Sequence, residues 1–412
     1  MLPGLPKPLA AALFAVFVLV MPVLAQEAAP VAPQALPNVM DARVSSTPER
    51  ARLVVDLAAK TEFAFVSLAE PNRLAIDVRA GTFTVPEPQG APAGEGLVSA
   101  YTIEQAAPDR VRTILTLSQP AQVQQAYVLD AFEDQPARLV VDVIPATTEE
   151  FAANVERDAA ASANREAANA QSTPAGGSEL PIATRPLVVI DPGHGGIDGG
   201  AEAPDGVQEK DIVLAFALKL QQLLVASGRF DVALTREDDR YLRLEERVAL
   251  ARANKANLFI SIHADSFQQP EIRGASVYTR DENATDVLDK VLADNENKSD
   301  VIAGFAMPQM APEVVDILVD LMRREMRVQS FLAAQSIVHQ LEPSVALRRF
   351  PVRQADFFVL QAPDVPSVLI ELGFLSNARD MANLVETDWQ NRTAEAIARG
   401  ISTYFDSLEK AE

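Results

Sequence analysis

Short apolar runs separated by Pro, Gly and Asn occupy residues 39–145, and this pattern predicts β-strands. Three of the runs resemble one another, since each begins with Arg-Leu and carries Asp at its fifth position: residues 52–57, 73–78 and 138–143. Further strand-like runs lie at residues 62–68, 98–103, 112–117 and 122–128. This spacing is typical of a small β-sandwich. The segment has no His and no cluster of acids away from the repeated positions, so nothing in it indicates catalysis.

The pattern changes twice more along the chain. Residues 146–185 are dominated by Ala, Glu, Asn, Ser and Gly, and they predict a linker that is helical in part. From Pro186 onward, strand-like and helix-like segments alternate. The strands are expected at residues 187–190, 232–235, 258–262, 275–278 and 367–370, and the helices at 211–226, 244–254 and 389–408. This alternation predicts an α/β domain over residues 186–408 with a mostly parallel sheet.

The N-terminal residues have the pattern of an export signal. Lys7 precedes an uncharged apolar run at residues 9–20, and Pro22 is followed by Val23-Leu24-Ala25. We expect a signal peptide over residues 1–25, cleaved after Ala25, followed by a flexible leader at 26–38. The alternative is an uncleaved membrane anchor, for which the apolar run is short. After cleavage we expect an exported protein without a membrane span.

Composition narrows the chemistry. The chain has 412 residues, of which 48% are hydrophobic, and its net charge is −21. A strongly acidic chain argues against a nucleic-acid partner, because phosphate binding needs a basic surface. There is no Cys, so disulfides and thiolate metal sites are excluded, and any metal must be bound by His, Asp or Glu.

Candidate metal ligands occur where predicted strands end. His194 lies in a Gly-rich turn after the first strand of the α/β domain, and His263 directly follows the apolar run at 258–262. Glu209 begins the helix after the first turn. Each has a plainer interpretation: a loop residue, a His at the end of a strand, and an acid at a helix N-terminus. If the two strands are neighbours, however, His194, Glu209 and His263 form a two-His, one-Glu zinc site with a fourth position open.

A fourth candidate ends the last predicted strand. In residues 367–371, the apolar run finishes with Glu371, and an unpaired buried carboxylate needs a functional reason. Near a zinc-bound water, Glu371 would accept a proton and later deliver it to a leaving amine. Ser376-Asn377 followed by Asp380 indicates an ordinary helix cap.

Residues 186–408 resemble the zinc-dependent N-acetylmuramoyl-L-alanine amidases (amidase 3 family) that separate daughter cells in Gram-negative bacteria. The matching motifs are Asp191-Pro192-Gly193-His194-Gly195-Gly196, Glu209-Lys210-Asp211, Ser261-Ile262-His263-Ala264-Asp265 and Glu371-Leu372-Gly373-Phe374-Leu375-Ser376-Asn377. The resemblance implies zinc ligands at His194, Glu209 and His263, and a catalytic acid at Glu371. It also implies a periplasmic enzyme that cuts the bond between N-acetylmuramic acid and L-alanine in septal peptidoglycan. Residues 39–145 are similar to the AMIN-like β-sandwich that targets such enzymes to the cell wall.

An insert at about residues 283–342 is largely helical in pattern. Residues 295–300 resemble a segment of family members that an inserted helix keeps inactive, with a glutamate in the open zinc position. Glu296 is the matching residue, and the alternative is a solvated helix acid. Residues 314–338 form a second helical stretch, with an apolar stripe of Val314, Ile317, Leu318, Leu321 and Met322. The stripe is either core or, as the resemblance implies, a docking surface for an activator with a degenerate lysostaphin-like metalloendopeptidase fold. His339 is expected to be structural or exposed.

Two other functions compete with the amidase. A zinc exopeptidase would use similar ligands and would need a basic pocket for a substrate carboxylate. A wall-binding scaffold without catalysis would have no use for Glu371. No Cys and no recognisable serine triad offers a covalent nucleophile.

Overall fold

A computed structural model describes residues 36–85, 96–131, 135–169, 185–306 and 317–410. The predicted signal peptide at 1–25 lies outside these residues. Within these ranges the first domain has the strands β1 (Asn38–Thr47), β2 (Arg50–Leu57), β3 (Phe63–Leu68), β4 (Arg73–Val78), β5 (Thr82–Phe83), β6 (Val98–Ala107), β7 (Arg110–Leu117), β8 (Ala121–Leu129) and β9 (Ala137–Pro145). They make two sheets, in the orders β5-β1-β2-β9-β8 and β3-β4-β7-β6, around one apolar core. The predicted β-sandwich is confirmed.

The repeated Arg-Leu…Asp pattern has a structural explanation in this sandwich. β2 and β9 run antiparallel, and their register places Arg52 opposite Asp142 and Asp56 opposite Arg138. Both pairs are in contact, at 2.8 Å for Arg52 with Asp142 and 3.2 Å for Arg138 with Asp56. The repeat therefore supplies reciprocal cross-strand ion pairs, which are the unit of stabilisation in an antiparallel sheet.

A helix follows the sandwich where the sequence predicts a partly helical linker. α1 (Thr148–Asn169) begins with a reciprocal cap, in which Thr147 Oγ1 accepts from Glu150 N and Glu150 Oε2 accepts from Thr147 N. Phe151, only 4% exposed, packs into the sandwich core together with Val155. The first turns of α1 thus belong to the sandwich, although their composition is that of a linker.

The second domain alternates strands and helices. Its elements are β10 (Leu187–Pro192), α2 (Glu209–Ala226), β11 (Asp231–Leu234), α3 (Leu244–Ala253), β12 (Leu258–His263), β13 (Ala275–Arg280), α4 (Val287–Glu296), α5 (Ser299–Ile302), α6 (Ile317–Leu341), β14 (Leu347–Ala355), β15 (Ser367–Glu371), α7 (Ala378–Leu384) and α8 (Thr387–Glu409). The sheet order is β11-β10-β12-β15-β13-β14, and only the β13–β15 pairing among these is antiparallel. The predicted mostly parallel α/β domain is confirmed.

Helices cover both faces of this sheet. On one face, α2 presents Val213, Phe216, Leu220 and Leu224 at helical spacing, all at most 1% exposed, against β10 and β12 and alongside α6 and α8. Burial of each such side chain contributes about 1.5–3 kcal/mol, so a charge at Leu220 would disrupt this face. On the other face, α3 and α4 contribute to a second apolar cluster. In the part of the chain described, no helix combines the length and the apolar character needed to cross a bilayer.

The outer face of the β5-β1-β2-β9-β8 sheet packs against the α/β domain. The Tyr127 hydroxyl donates to the Val232 carbonyl at 2.6 Å, and Arg52 Nη1 lies 3.3 Å from Glu237 Oε1. Leu129, 5% exposed, is part of the apolar cluster that contains α3. The sandwich is therefore joined to the α/β domain by a mixed apolar and polar contact.

Candidate active site

A tight turn after β10 positions His194. His194 has φ of 59°, and Gly195 and Gly196 follow with φ of 126° and 58°. Left-handed backbone is unfavourable for residues other than Gly, so three in succession form a turn that only a Gly-rich sequence adopts readily. Gly193 has a different role, because a Cβ there would collide with the imidazole of His263. The Gly-rich motif thus turns the chain and lets the two imidazoles approach, with ring centroids 5.0 Å apart.

The sheet register brings His263 and Glu371 together. β12 and β15 are parallel neighbours, and their last residues, His263 and Glu371, are Cα partners. Partners in adjacent parallel strands project on the same face of the sheet. β10 lies on the other side of β12, so the turn that carries His194 opens at the same edge. The structure therefore places His194, His263 and Glu371 at the carboxyl ends of three adjacent strands, where open α/β sheets bind ligands.

Glu209 closes the group from the start of α2. Its carboxylate is fully buried and accepts from two backbone amides, Ala201 N at 2.9 Å and Ala264 N at 2.7 Å. Its oxygens lie 3.2 Å from His194 Nε2 and 3.3 Å from His263 Nδ1. Burial alone would raise the pKa of Glu209, but the imidazoles outweigh burial and keep it well below its usual value. Glu209 is therefore an ionised carboxylate between two imidazoles.

Glu296, the last residue of α4, also enters this group. Its Oε2 lies 3.3 Å from His263 Nδ1 and 3.6 Å from His194 Nε2, and the residue is 9% exposed. Burial raises the pKa of Glu296 above its usual value. Glu296 is thus not a solvated helix acid, since its carboxylate faces the same ring nitrogens as Glu209.

The residues present fit a bound metal cation. Among the described residues, His194 Nε2 and His263 Nδ1 are buried nitrogens without a hydrogen-bond partner. Ligand atoms of His194, His263 and Glu296 lie within 4.8 Å of one another, as do those of Glu209, Asp265 and Glu296. Burial would lower the pKa of His194, yet Glu209 and Glu296 raise it well above its usual value. Unpaired ring nitrogens among carboxylates, in a site that favours positive charge, suit a divalent cation such as zinc.

Glu371 has the environment of a proton carrier. It is fully buried, Oε2 accepts from Asp265 N at 3.2 Å, and Oε1 has no partner among the described residues. Burial, followed by repulsion from Glu209, Asp265 and Glu296, raises its pKa well above the usual value. A buried carboxyl group with a raised pKa is suited to accept a proton and return it.

A second layer of polar groups supports both imidazoles. Asp198 Oδ2 lies 2.9 Å from His194 Nδ1, and Ser261 Oγ lies 3.2 Å from His263 Nε2. Ser261 in turn donates to Asp191 at 2.7 Å. In both cases the ring nitrogen facing away from the candidate metal position has a polar partner, as in known metal-binding histidines.

Two buried arginines hold the turn itself. Arg247, 1% exposed, contacts Asp191 and Pro192 O at 2.9 Å each and His194 O at 2.7 Å. Arg236, fully buried, donates to Pro192 O at 3.0 Å and to Gly193 O at 2.7 Å. Sequence reasoning assigned no role to these arginines or to Asp198, because an Arg in a helix or after a strand resembles a surface residue. His339 is exposed, as expected.

Comparison with known proteins agrees with this geometry. A family model described as N-acetylmuramoyl-L-alanine amidase matches residues 188–403, and one for the AMIN domain matches residues 41–143. The chain is 31% identical to the N-acetylmuramoyl-L-alanine amidase AmiC of Neisseria meningitidis serogroup B, over 90% of this chain and 91% of that protein. It is also 31% identical to AmiC of Escherichia coli O6:H1, over 90% of each chain.

Among solved structures, the catalytic domain of CwlV, an N-acetylmuramoyl-L-alanine amidase from Bacillus (Paenibacillus) polymyxa var. colistinus, is 30% identical. That match covers 54% of this chain and 98% of the other, with a TM-score of 0.38. The family match over the α/β domain and the full-length relatives together settle the assignment. The chain belongs to the N-acetylmuramoyl-L-alanine amidase family and is a peptidoglycan amidase with an AMIN domain ahead of its catalytic domain.

Proposed function

We propose that this amidase is zinc-dependent, with His194, Glu209 and His263 as metal ligands and Glu371 as the catalytic acid and base. The observation that carries the proposal is the pair of buried ring nitrogens, His194 Nε2 and His263 Nδ1, which face carboxylate oxygens and lack hydrogen-bond partners in the described structure. The chemistry that zinc supplies when bound is polarisation of the scissile carbonyl and a lower pKa for water.

The residues of the chain would bind the metal and transfer the proton. Glu209 and the two imidazoles would bind the cation, and the backbone amides of Ala201 and Ala264 fix the Glu209 carboxylate. Glu371 would take a proton from the attacking water, since its Oε1 is free to accept, and would return it to the L-alanine nitrogen.

Hydrolysis of purified peptidoglycan tests this assignment. Removal of metal with a chelator should abolish the release of soluble fragments, and added zinc should restore it. Glu371→Gln should lower turnover by roughly 10²–10⁴-fold while zinc content stays stoichiometric. Glu282→Gln, at an exposed position of the same domain, is the matched control. Full activity of Glu371→Gln, or activity that survives complete metal removal, would contradict the mechanism.

We further propose that the structure is the closed form of the enzyme, with Glu296 blocking the site. Glu296 lies within 3.6 Å of both candidate ligand nitrogens, and His194, His263 and Glu371 are 7%, 4% and 0% exposed. A glycan strand with its peptide cannot reach groups that are buried to this extent. Opening would require α4 to move away from the site.

Substitution of Glu296 tests the closure. Glu296→Ala should raise turnover of peptidoglycan by about 10- to 1,000-fold, which corresponds to an open state populated at 0.1–10% in the wild type. Asp294→Ala is the control, because Asp294 is on the same helix but is half exposed and paired with Lys290. Equal turnover in wild type and Glu296→Ala would contradict the inhibitory role of Glu296.

An activator of degenerate lysostaphin-like fold would bind α6. Leu321, Val328 and Leu332 are 63%, 54% and 37% exposed and fall on one side of this helix, whereas Ile337 and Leu341 near its end are buried. Val314 lies outside the described residues, and Leu321 and Met322 of the predicted stripe are exposed. Val328→Asp should leave basal activity unchanged and abolish stimulation by purified lysostaphin-like proteins of the source organism. If Val328→Asp is stimulated as strongly as the wild type, the activator does not bind this face of α6.

Export to the periplasm and action at the division septum complete the proposal. The match of residues 41–143 to the AMIN domain supports wall targeting by the sandwich. A fluorescent fusion should concentrate at division sites, and deletion of residues 1–25 should retain it in the cytoplasm. A fusion that labels the whole envelope evenly would argue against septal targeting.

A further inference from the structure

The carboxylate of Asp198 lies directly behind the ring of His194. Asp198 Oδ2 is 2.9 Å from His194 Nδ1, and Oδ1 accepts from Gly200 N at 3.1 Å. The backbone of Asp198 exchanges two hydrogen bonds with Gly195, at 2.9 and 3.1 Å. Asp198 is 1% exposed, so its side chain is fixed by the same turn that presents His194.

This contact determines which ring nitrogen is available. A neutral imidazole has one N–H, and donation of that proton from Nδ1 to Asp198 leaves the lone pair on Nε2. Nε2 is the nitrogen that faces Glu209 and Glu296.

The segment that carries Glu296 reaches the same carboxylate. The hydroxyl of Ser299, at the start of α5, donates to Asp198 Oδ2, the oxygen that also faces His194. Ser299 is 3% exposed and lies three residues after Glu296. Asp300, the next residue, accepts from the Tyr241 hydroxyl at 2.6 Å and from Leu244 N at 3.0 Å. The segment is thus bound by its polar side chains as well as by Glu296.

The support of His263 differs from that of His194, because among the described residues it has no hydrogen bond to the segment that carries Glu296. The outer nitrogen of His263 lies 3.2 Å from Ser261 Oγ, and Ser261 donates to Asp191 at 2.7 Å. These groups belong to β10 and β12 and make no hydrogen bond to the described residues of α4 or α5. Only the support of His194 is shared with the closing segment in the described structure.

We propose that Asp198 is the positioning residue for His194, and that in the closed form Ser299 fastens the segment carrying Glu296 to this same carboxylate. The proposal rests on the metal-binding role proposed for His194 and, for Ser299, on the closure by Glu296 proposed above. Asp198 orients the imidazole with Nε2 toward the metal position in both forms. Ser299 bonds to Asp198 only when Glu296 is in place, so removal of the hydroxyl loosens the segment without altering a ligand.

Zinc affinity and the tautomer of His194 test the role of Asp198. Asp198→Ala should weaken zinc binding by roughly 10–100-fold in competition with a chromophoric chelator. In the metal-free protein, at a pH high enough for the His194 ring to be neutral, ¹⁵N NMR should show a shift of its proton from Nδ1 toward Nε2. Asp198→Asn, which retains an oxygen acceptor, should recover part of the affinity and serves if the Ala variant does not fold. Asp205→Ala, at an exposed acid of the same loop, is the control.

Turnover of purified peptidoglycan tests the role of Ser299. Ser299→Ala should keep wild-type zinc affinity and raise basal turnover, though less than Glu296→Ala does. The double variant should not exceed Glu296→Ala, because both changes open the same segment. Lys298→Ala, at the exposed neighbouring position, should behave as wild type.

The outcomes separate this proposal from the one on which it rests. Unchanged zinc affinity and an unchanged tautomer in Asp198→Ala overturn the positioning role. If Glu296→Ala raises turnover but Ser299→Ala has the turnover of the wild type, the fastening role is overturned and the closure by Glu296 stands. If the turnover of Glu296→Ala equals that of the wild type, the closure and the fastening role both fail. The positioning role of Asp198 is then tested by zinc affinity alone.

Discussion

Replacement of Arg247 by Met removes the guanidinium from beneath the Gly-rich turn. Arg247 contacts Asp191 at 2.9 Å and donates to the carbonyls of Pro192, His194 and Leu242 at 2.9, 2.7 and 3.1 Å. Met has a similar length and no donor, so Asp191 would keep only the hydroxyls of Thr235 and Ser261 as side-chain partners among the described residues. The variant leaves a buried carboxylate without its counter-charge.

The loss of folding free energy in Arg247→Met follows from the burial of the Arg247–Asp191 ion pair. Both partners of this ion pair have side chains only 1% exposed, and loss of one partner of a buried pair typically costs about 3–5 kcal/mol. In a domain of this size class, 1 kcal/mol shifts the melting temperature by about 2–4 °C, so a shift of roughly 6–20 °C is expected. Arg252→Met is the matched control on the same helix. Its partner is Asp364 and its side chain is 47% exposed, so its cost should be about 0–1 kcal/mol.

Trp389 provides the readout, because it is the only Trp of the chain and is buried in the catalytic domain. Thermal unfolding followed by its fluorescence should show the large shift for Arg247→Met and a small one for Arg252→Met. Addition of Asp191→Asn to Arg247→Met should cost less than the sum of the two single changes, since the orphaned charge is removed. A shift as small as that of Arg252→Met, or strict additivity in the double variant, would refute the reasoning.

The same pair predicts a pH dependence. Burial would raise the pKa of Asp191, but Arg247, Thr235 and Ser261 outweigh burial and lower it. A carboxylate with a lowered pKa stabilises the folded state above its unfolded pKa, and this contribution is lost as the pH falls through the folded value. Arg247→Met lacks most of this pH-dependent stabilisation, because Asp191 has lost its ion-pair partner. The difference in melting temperature between wild type and Arg247→Met should therefore narrow in acid.

Three further predictions concern the site and the domain contact. Gly193→Ala should weaken zinc binding while the protein stays folded, because the new methyl group collides with His263; unchanged affinity by chelator competition would contradict this. Metal-free Glu371→Gln should melt at a higher temperature than metal-free wild type at pH 8. The raised pKa of the Glu371 carboxyl means that the stability of the wild type falls as the pH rises towards that pKa. The higher melting temperature of Glu371→Gln should therefore disappear at acidic pH. Tyr127→Phe should cost about 1–3 kcal/mol by leaving the Val232 carbonyl without its donor, as measured by urea unfolding; a cost near zero would indicate a solvated contact.

The strands that carry the active site could be predicted from the sequence because each is buried on both faces. β10, β12 and β15 read as short apolar runs that end in a polar residue, and the observed bounds differ from the predicted ones by one or two residues. The cap before α7 is also local, and Asn377 accepts from Arg379 N and Asp380 N as expected. Local patterns therefore predicted that His194 follows β10 and that His263 and Glu371 end their strands.

Elements that depend on distant partners could not be predicted in this way. β14 reads Leu-Arg-Arg-Phe-Pro-Val-Arg-Gln-Ala, a basic edge strand interrupted by Pro351, and the burial of Arg353 depends on Asp289 from α4. The antiparallel direction of β13 has no local signal either. The contacts of Asp198 with Ser299 and of Arg247 with Asp191 join residues far apart in sequence, so only the folded chain reveals them.

The pairing of His263 with Glu371 has a consequence for how such an enzyme can evolve. Their separation is set by the spacing of two hydrogen-bonded strands, about 4.8 Å, and not by the chain that connects them. That connection can lengthen, acquire helices or lose them while the two side chains keep their distance. Helices such as α4 and α5 can therefore be gained or discarded by insertion and deletion, while the sheet keeps the separation of His263 and Glu371 unchanged.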